Sequence, residues 1–166
     1  FHKYSKFEVT VYSSLYGFDE NFPFDEFDVI VVHYSVIPTL RGFISERVVD
    51  RLRNVEAVKV MMAQDEYRST SSLISFANSI EVSIFFTVVP EHSSGTLYSE
   101  LNSNCRLVTY LTGYISEELC VEPVIQIRNR RFDISYRGRE YPAWFGQIMK
   151  KKIDLALALK KFPALS

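Results

Sequence analysis

The segment DVIVVH, residues 28–33, decides the fold class. It places four consecutive β-branched residues between an aspartate and a histidine, and such a composition is typical of a β-strand. Because both alternating faces of this strand are apolar, it needs cover on both sides, as the strands of parallel sheets have. The segment therefore predicts a strand of a parallel sheet, and the rest of the chain is interpreted outward from it.

Strand-like and helix-like segments alternate along the chain around this strand. Alternation of this kind predicts an α/β fold, namely a three-layer α/β/α, Rossmann-like domain with a mostly parallel sheet. The predicted strands are 7–12, 28–33, 57–63, 82–89, 106–111 and 132–136. The predicted helices are 40–54, 69–80, about 95–101, one turn at 116–119, and 142–161.

Composition limits the classes of protein. The chain has 166 residues, of which 47% are apolar, enough for one α/β domain or one domain and the start of another. It lacks an uncharged run of about 18 residues, so we expect no membrane span. Cys105 and Cys120 lack CxxC spacing, so neither a disulfide framework nor a metal site is expected. A chain with no initial Met and no signal sequence suggests a trimmed piece of a longer cytoplasmic protein.

The charge is distributed unevenly. Residues 1–120 carry 9 Lys and Arg against 16 Asp and Glu, whereas residues 121–166 carry 10 against 4. This asymmetry indicates that an anion or an acidic surface meets the C-terminal third, although two halves that attract each other would explain it equally well. The many Tyr and Phe residues have no basic lattice around them, so no nucleic-acid partner is expected.

Polar residues follow the predicted strands, where ligands of open parallel sheets bind. Asp65 or Glu66 is a candidate general base, and Arg68 is suited to hold a carboxylate or phosphate. An acidic helix N-terminus is the alternative interpretation of these carboxylates. His33 is a candidate catalytic base or ligand contact, or else a hydrogen-bonded core histidine. Thr112 and Gly113 offer a backbone that a ligand can approach, or an ordinary turn.

The segment Arg137-Gly138-Arg139 follows the predicted strand 132–136 and precedes the last predicted helix. A glycine at such a turn lets backbone N–H groups reach a phosphate, and flanking arginines add charge-assisted hydrogen bonds. The segment matches neither the Walker pattern nor GxGxxG. Position and local charge together predict a diphosphate-binding turn.

Five segments taken together resemble a bacterial group of glycosyltransferase-like proteins, similar to family 1 and family 4 enzymes of the two-domain GT-B architecture. The resemblance covers roughly residues 24–154. It is carried by FDVIVVHYS (27–35), QDEYR (64–68), FTVVPE (86–91), LTGY (111–114) and DISYRGREYPAWFGQIMKKKID (133–154).

The resemblance implies a GT-B N-terminal-type, acceptor-side domain over residues 1–121, with its first strand missing. A connector at 122–132 follows, and 133–166 begins the nucleotide-sugar-binding domain or forms a helix that packs back on the first. It also implies that Arg137, Gly138 and Arg139 contact the donor diphosphate. The family's acidic donor residue would fall beyond residue 166, so this stretch alone is expected to be inactive.

The sequence thus predicts a glycosyltransferase that moves a sugar from a nucleotide-sugar donor to an unknown hydroxyl, with no further cofactor and no metal. Its partners would be the donor and the acceptor, with peripheral membrane association as an option. The first alternative is a non-catalytic Rossmann-like module that binds a ligand or partner. The second is a phosphate-ester or nucleotide hydrolase that uses Asp65 and Glu66.

Overall fold

The computed structural model divides the chain into two units, Phe1–Tyr114 and Ile115–Ser166. Each unit is described by itself. The residues that the structure describes are 3–13, 17–36, 44–66, 69–111, 113, 116–121, 123–131 and 146–159.

The first unit contains a sheet of four parallel strands. They are β1 (Val29–Val32), β2 (Val58–Met62), β3 (Ile84–Thr87) and β4 (Arg106–Thr109). Their spatial order is β1-β2-β3-β4, and every neighbouring pair is parallel. Helices flank this sheet, so the α/β, Rossmann-like fold that the sequence predicts is confirmed, and it is consistent with a three-layer arrangement.

Three helices connect the strands. They are α1 (Glu46–Asn54), α2 (Thr70–Ser79) and α3 (Glu91–Leu97). Helix α1 begins at a serine cap, because the Ser45 hydroxyl oxygen accepts the Val48 N–H at 3.3 Å. One turn apart, Val48 and Leu52 are buried in the core. The spacing that predicts this helix is therefore the spacing of its packed face.

The register of the strands places their buried side chains on one face of the sheet. Val32 aligns with Met61, and Met61 aligns with Phe85. These three residues belong to one apolar core with side chains from α1 and α2, whereas Val29 and Val58 on the other face are about half exposed. Core members are Phe24, Val32, Val48, Leu52, Met61, Ala63, Ile74, Phe76, Ala77, Ile80, Val82, Phe85 and Tyr98.

The strand expected at residues 7–12 is absent, so that prediction is wrong. These residues lie outside any strand, and Phe7 is 85% exposed. Tyr12 instead joins an aromatic cluster, with its ring centroid 4.3 Å from that of Phe22. Its hydroxyl oxygen accepts the Asp19 N–H at 2.7 Å. Side-chain packing against the aromatic cluster, rather than a backbone ladder, thus holds this segment.

The third helix begins earlier than predicted. It starts at Glu91, directly after Pro90, and ends at Leu97. His92, which precedes the predicted helix at about 95–101, therefore lies in the first turn of α3. Proline at a helix start suits the fixed backbone angle and leaves no N–H unsatisfied, so the polar segment after Pro90 becomes helical despite its loop-like composition.

The second unit contains two described α-helices. They are α4 (Glu117–Val121) and α5 (Gln147–Leu159), and a short 3-10 helix, Ile127–Asn129, lies between them. A second 3-10 helix, Phe24–Glu26, precedes β1 in the first unit. The predicted strand 132–136 lies outside the described residues. The predicted domain boundaries, at 121 and at 132, stay predictions.

Among the described residues, none of the helices has the length and apolar character needed to cross a membrane.

The position of Phe85 in the core leads to a first prediction. Its side chain is fully buried, so Phe85→Ala should lower the free energy of unfolding by about 3–5 kcal/mol. The control is Phe7→Ala, which removes the same ring from an exposed position and should change stability by less than about 0.5 kcal/mol. Urea denaturation followed by circular dichroism measures both, and equal losses would contradict the assigned core.

Candidate functional site

The carboxyl ends of the four strands meet at one edge of the sheet, because all of the strands are parallel. His33 follows β1, and Asp65 and Glu66 follow β2. The fold thus brings the three predicted catalytic residues to the same edge. We call this set of post-strand residues the carboxyl edge.

Glu66 lies beneath the carboxyl edge and is 4% exposed. Its Oε1 accepts the Thr87 hydroxyl at 2.5 Å and also the hydroxyl of Tyr98. Its Oε2 accepts the Val88 N–H at 2.9 Å. A buried carboxylate with three donors is well satisfied, so this group fixes the loop after β2 to the end of β3 and to the residue after α3.

The hydrogen bonds of Glu66 also limit its chemistry. To take a proton from a substrate hydroxyl, the carboxylate would have to give up the Thr87 or Tyr98 hydroxyl that it now accepts. The geometry therefore gives Glu66 a positioning role, and its assignment as a catalytic base stays a prediction.

Tyr98 shares this buried site. Burial is the main cause that raises the pKa of its phenol far above the usual value, and the hydrogen bond to Glu66 raises it further. Both effects disfavour a phenolate next to a carboxylate in an apolar interior. Tyr98 therefore serves as a neutral donor to Glu66.

Asp65 occupies a different environment from its neighbour. Its side chain is exposed, and its backbone has φ 58°, in the left-handed region. Aspartate tolerates this region better than most residues. Since Glu66 is anchored inside, the left-handed turn at Asp65 leaves an accessible carboxylate at the carboxyl edge.

His33 is half buried at the end of β1. Its Nδ1 lies 2.9 Å from the Ser35 hydroxyl and accepts the Ser35 N–H at 3.3 Å. An Nδ1 that accepts a backbone N–H leaves the proton of the neutral ring on Nε2. In this state His33 is a hydrogen-bond donor toward a ligand.

Aromatic rings complete the carboxyl edge. The Tyr34 ring lies 3.9 Å from the His33 ring, centroid to centroid. After β4, the Tyr110 hydroxyl donates to the Ala63 carbonyl oxygen at 3.0 Å, and its ring packs edge-on against Phe86 at 5.8 Å. Burial raises the pKa of Tyr110, and the charges of Glu66 and Tyr34 raise it further. Tyr34 and Tyr110 thus both contribute rings to the carboxyl edge.

Gly113 is the described member of the pair predicted after β4. Its φ of 94° is one that side chains rarely adopt, and a Cβ there would meet no atom within 4 Å. The backbone turn, rather than a lack of space, requires glycine here. Five other predicted binding residues lie outside the described residues: Arg68, Thr112, Arg137, Gly138 and Arg139.

The described residues also bear on metal and thiol chemistry. Within the described ranges, no group of three or more His, Cys, Asp or Glu side chains is placed to hold a metal ion. Burial raises the pKa of the Cys105 thiol to about 11, so this side chain is neutral at pH 7.

Sequence reasoning missed three residues of the site: Thr87, Tyr98 and Tyr110. Thr87 ends an apolar strand, and a buried polar residue at a strand end is a signal that could have been used. Tyr98 and Tyr110 carry no such signal, because their partners lie 32 and 47 residues away in sequence.

The fold and the carboxyl edge define a Rossmann-like α/β domain with an accessible carboxylate, a histidine and aromatic rings on one side of a parallel sheet. Comparison with protein-family models, with curated proteins and with solved structures found no match.

The buried phenol of Tyr98 leads to a second prediction. A group whose pKa is raised by folding stabilises the protein below its unfolded pKa, about 10 for tyrosine, and this stabilisation is lost at higher pH. The free energy of unfolding should therefore fall as pH rises above about 10, and Tyr98→Phe should reduce this slope. Urea denaturation from pH 8 to 11 measures it, with Phe7→Ala as the control. An unchanged slope in Tyr98→Phe would contradict the assignment.

Proposed function

We propose that the chain belongs to a glycosyltransferase of GT-B-like architecture, which transfers a sugar from a nucleotide-sugar donor to a hydroxyl acceptor. The observation that carries this proposal is that an exposed Asp65 carboxylate and His33 follow neighbouring strands at the carboxyl edge of a parallel sheet. In open α/β sheets this edge is where ligands bind.

Asp65 and His33 have different roles in the proposed transfer. Asp65 takes the proton of the acceptor hydroxyl, and the hydroxyl oxygen forms a bond to the anomeric carbon of the donor sugar. The bond from that carbon to the diphosphate oxygen breaks, and the diphosphate leaves with the electron pair. His33 donates a hydrogen bond from Nε2 and orients a hydroxyl of the substrate.

The departing diphosphate needs positive charge. The resemblance assigns this role to Arg137 and Arg139, with Gly138 between them. Guanidinium groups and backbone N–H groups stabilise such a leaving group without a metal ion. The excess of Lys and Arg after residue 120 supports this assignment. The proposal accordingly includes a nucleotide-sugar donor as substrate, no further cofactor, a cytoplasmic setting and a bacterial family.

A second candidate function is a non-catalytic module that binds a ligand through the same edge. The hydrogen bonds of Glu66 favour the module. Because Glu66 accepts the hydroxyl groups of Thr87 and Tyr98, it does not assist Asp65 in taking a proton. This observation also argues against the hydrolase alternative, which uses both Asp65 and Glu66.

Binding of a nucleotide-sugar donor distinguishes the transferase from the non-catalytic module. Isothermal titration of the full-length protein with UDP-, GDP- and TDP-sugars should show binding of at least one donor. Arg137→Ala and Arg139→Ala should each weaken that binding by about 1–3 kcal/mol, the range for a charge-assisted contact. The control is Arg47→Ala, on α1, where the guanidinium pairs with Glu20. No heat with any donor, from a folded protein, would favour the module.

The proposed base leads to a separate prediction for transfer. In the full-length protein, Asp65→Asn should lower the rate of sugar transfer by about 10²–10⁴-fold while donor binding is kept, because the amide cannot accept the proton. The matched control is Asp28→Asn, which changes an exposed aspartate at the opposite end of β1. Chromatographic detection of the released nucleoside diphosphate measures both variants. Equal rates in Asp65→Asn and Asp28→Asn would remove Asp65 from the mechanism.

A further inference from the structure

We infer that the rings of His33, Tyr34 and Tyr110 form a stacking site for a pyranose ring, so that the acceptor is itself a saccharide. This inference rests on the proposed function, since it names the acceptor class for the same carboxyl edge. The three residues are hereafter called the aromatic shelf.

The geometry of the aromatic shelf is the first support. His33 and Tyr34 hold their rings 3.9 Å apart at the end of β1. Tyr110 starts at the end of β4, and its hydroxyl donates to the carbonyl oxygen of Ala63 at the end of β2. The Tyr110 side chain thus runs across the end of β3 toward the strand next to β1.

Accessibility is the second support. Tyr34 is 39% exposed, whereas His33 and Tyr110 are half buried. Two of the three rings are held by hydrogen bonds: His33 by Ser35, and Tyr110 by the Ala63 carbonyl. Rings that are fixed before a ligand arrives lose little side-chain entropy when it binds.

The chemistry of the neighbouring groups selects a sugar. One face of a pyranose ring presents C–H groups that are attracted to the negative face of an aromatic ring. The hydroxyl groups at its rim donate hydrogen bonds, and Asp65 at the same edge only accepts them when ionised. His33 supplies a donor from Nε2 for a sugar oxygen.

A nucleotide fits the aromatic shelf less well. Its base would also stack, but the proposed function assigns its phosphates to Arg137 and Arg139. Phosphates seated beside Asp65, exposed after β2, without those arginines would be repelled as like charges at close range. A neutral ring with many hydroxyl groups satisfies both the aromatic and the acidic components of the edge.

The experiment uses methyl β-glucopyranoside, cellobiose and maltose as probes, and sorbitol as an acyclic polyol without a ring face. Saturation-transfer difference NMR on the protein should show transfer to the ring C–H protons of at least one saccharide and none to sorbitol. Tyr34→Phe should keep the affinity, because the ring remains, and Tyr34→Ala should weaken it about fivefold to tenfold. The control is Tyr4→Ala, which removes an exposed tyrosine from the N-terminal segment.

The outcomes decide the inference. Saccharide signals that decrease in Tyr34→Ala but persist in Tyr34→Phe and Tyr4→Ala support the aromatic shelf. Signals absent for every saccharide, equal for sorbitol, or unchanged in Tyr34→Ala overturn it. A variant that unfolds is recognised by its circular dichroism. Intermolecular NOEs between the Tyr34 ring protons and the saccharide C–H protons in the wild-type protein then decide between the same two results.

Failure of this inference and failure of the proposed function give different results. Donor binding without saccharide binding at Tyr34 overturns the aromatic shelf and leaves the transferase proposal in place. Saccharide binding at Tyr34 without binding of any nucleotide-sugar supports the aromatic shelf and favours a saccharide-binding module over the transferase.

Discussion

The buried carboxylate of Glu66 is the interaction on which the carboxyl edge depends. It accepts the hydroxyl groups of Thr87 and Tyr98 and the N–H of Val88, and thereby joins the loop after β2 to β3 and to the residue after α3. A buried charge with all of its donors in place is stable, but it becomes costly when one donor is lost. The arrangement is therefore specific, because a shifted loop would leave the charge unsatisfied.

From this anchor the functional groups follow in order. Glu66 is held inside, so the left-handed turn at Asp65 leaves the neighbouring carboxylate exposed. Parallel pairing of β1 with β2 brings His33 to the same edge, and Tyr110 reaches it from β4. An exposed carboxylate, a histidine and aromatic rings from distant parts of the sequence thus lie at one edge of the sheet. This combination is what the proposed transfer to a saccharide hydroxyl requires.

The sequence pattern predicted those elements whose formation depends mainly on residues close together in the chain. The β-branched segment at β1 and the spacing of Val48 and Leu52 are sufficient to identify a strand and a helix. The strand prediction at 7–12 was wrong, because the alternation of apolar and polar residues there also suits packing of Tyr12 in an aromatic cluster. Because parallel strands run in the same direction, the sequence also predicted that His33 and Asp65 lie at one edge of the sheet. The partners of Glu66 were not foreseeable, since they depend on contacts more than 20 residues apart in sequence.

A double-mutant cycle between Glu66→Leu and Tyr98→Phe, in which neither new side chain can make the hydrogen bond, tests the anchor most directly. The free energy of unfolding is measured for the protein, both single variants and the double variant. If the Tyr98 hydroxyl donates to a buried Glu66 carboxylate, the two losses are coupled by about 1–3 kcal/mol. Losses that simply add would contradict the account, because they would show that the two side chains do not share this hydrogen bond.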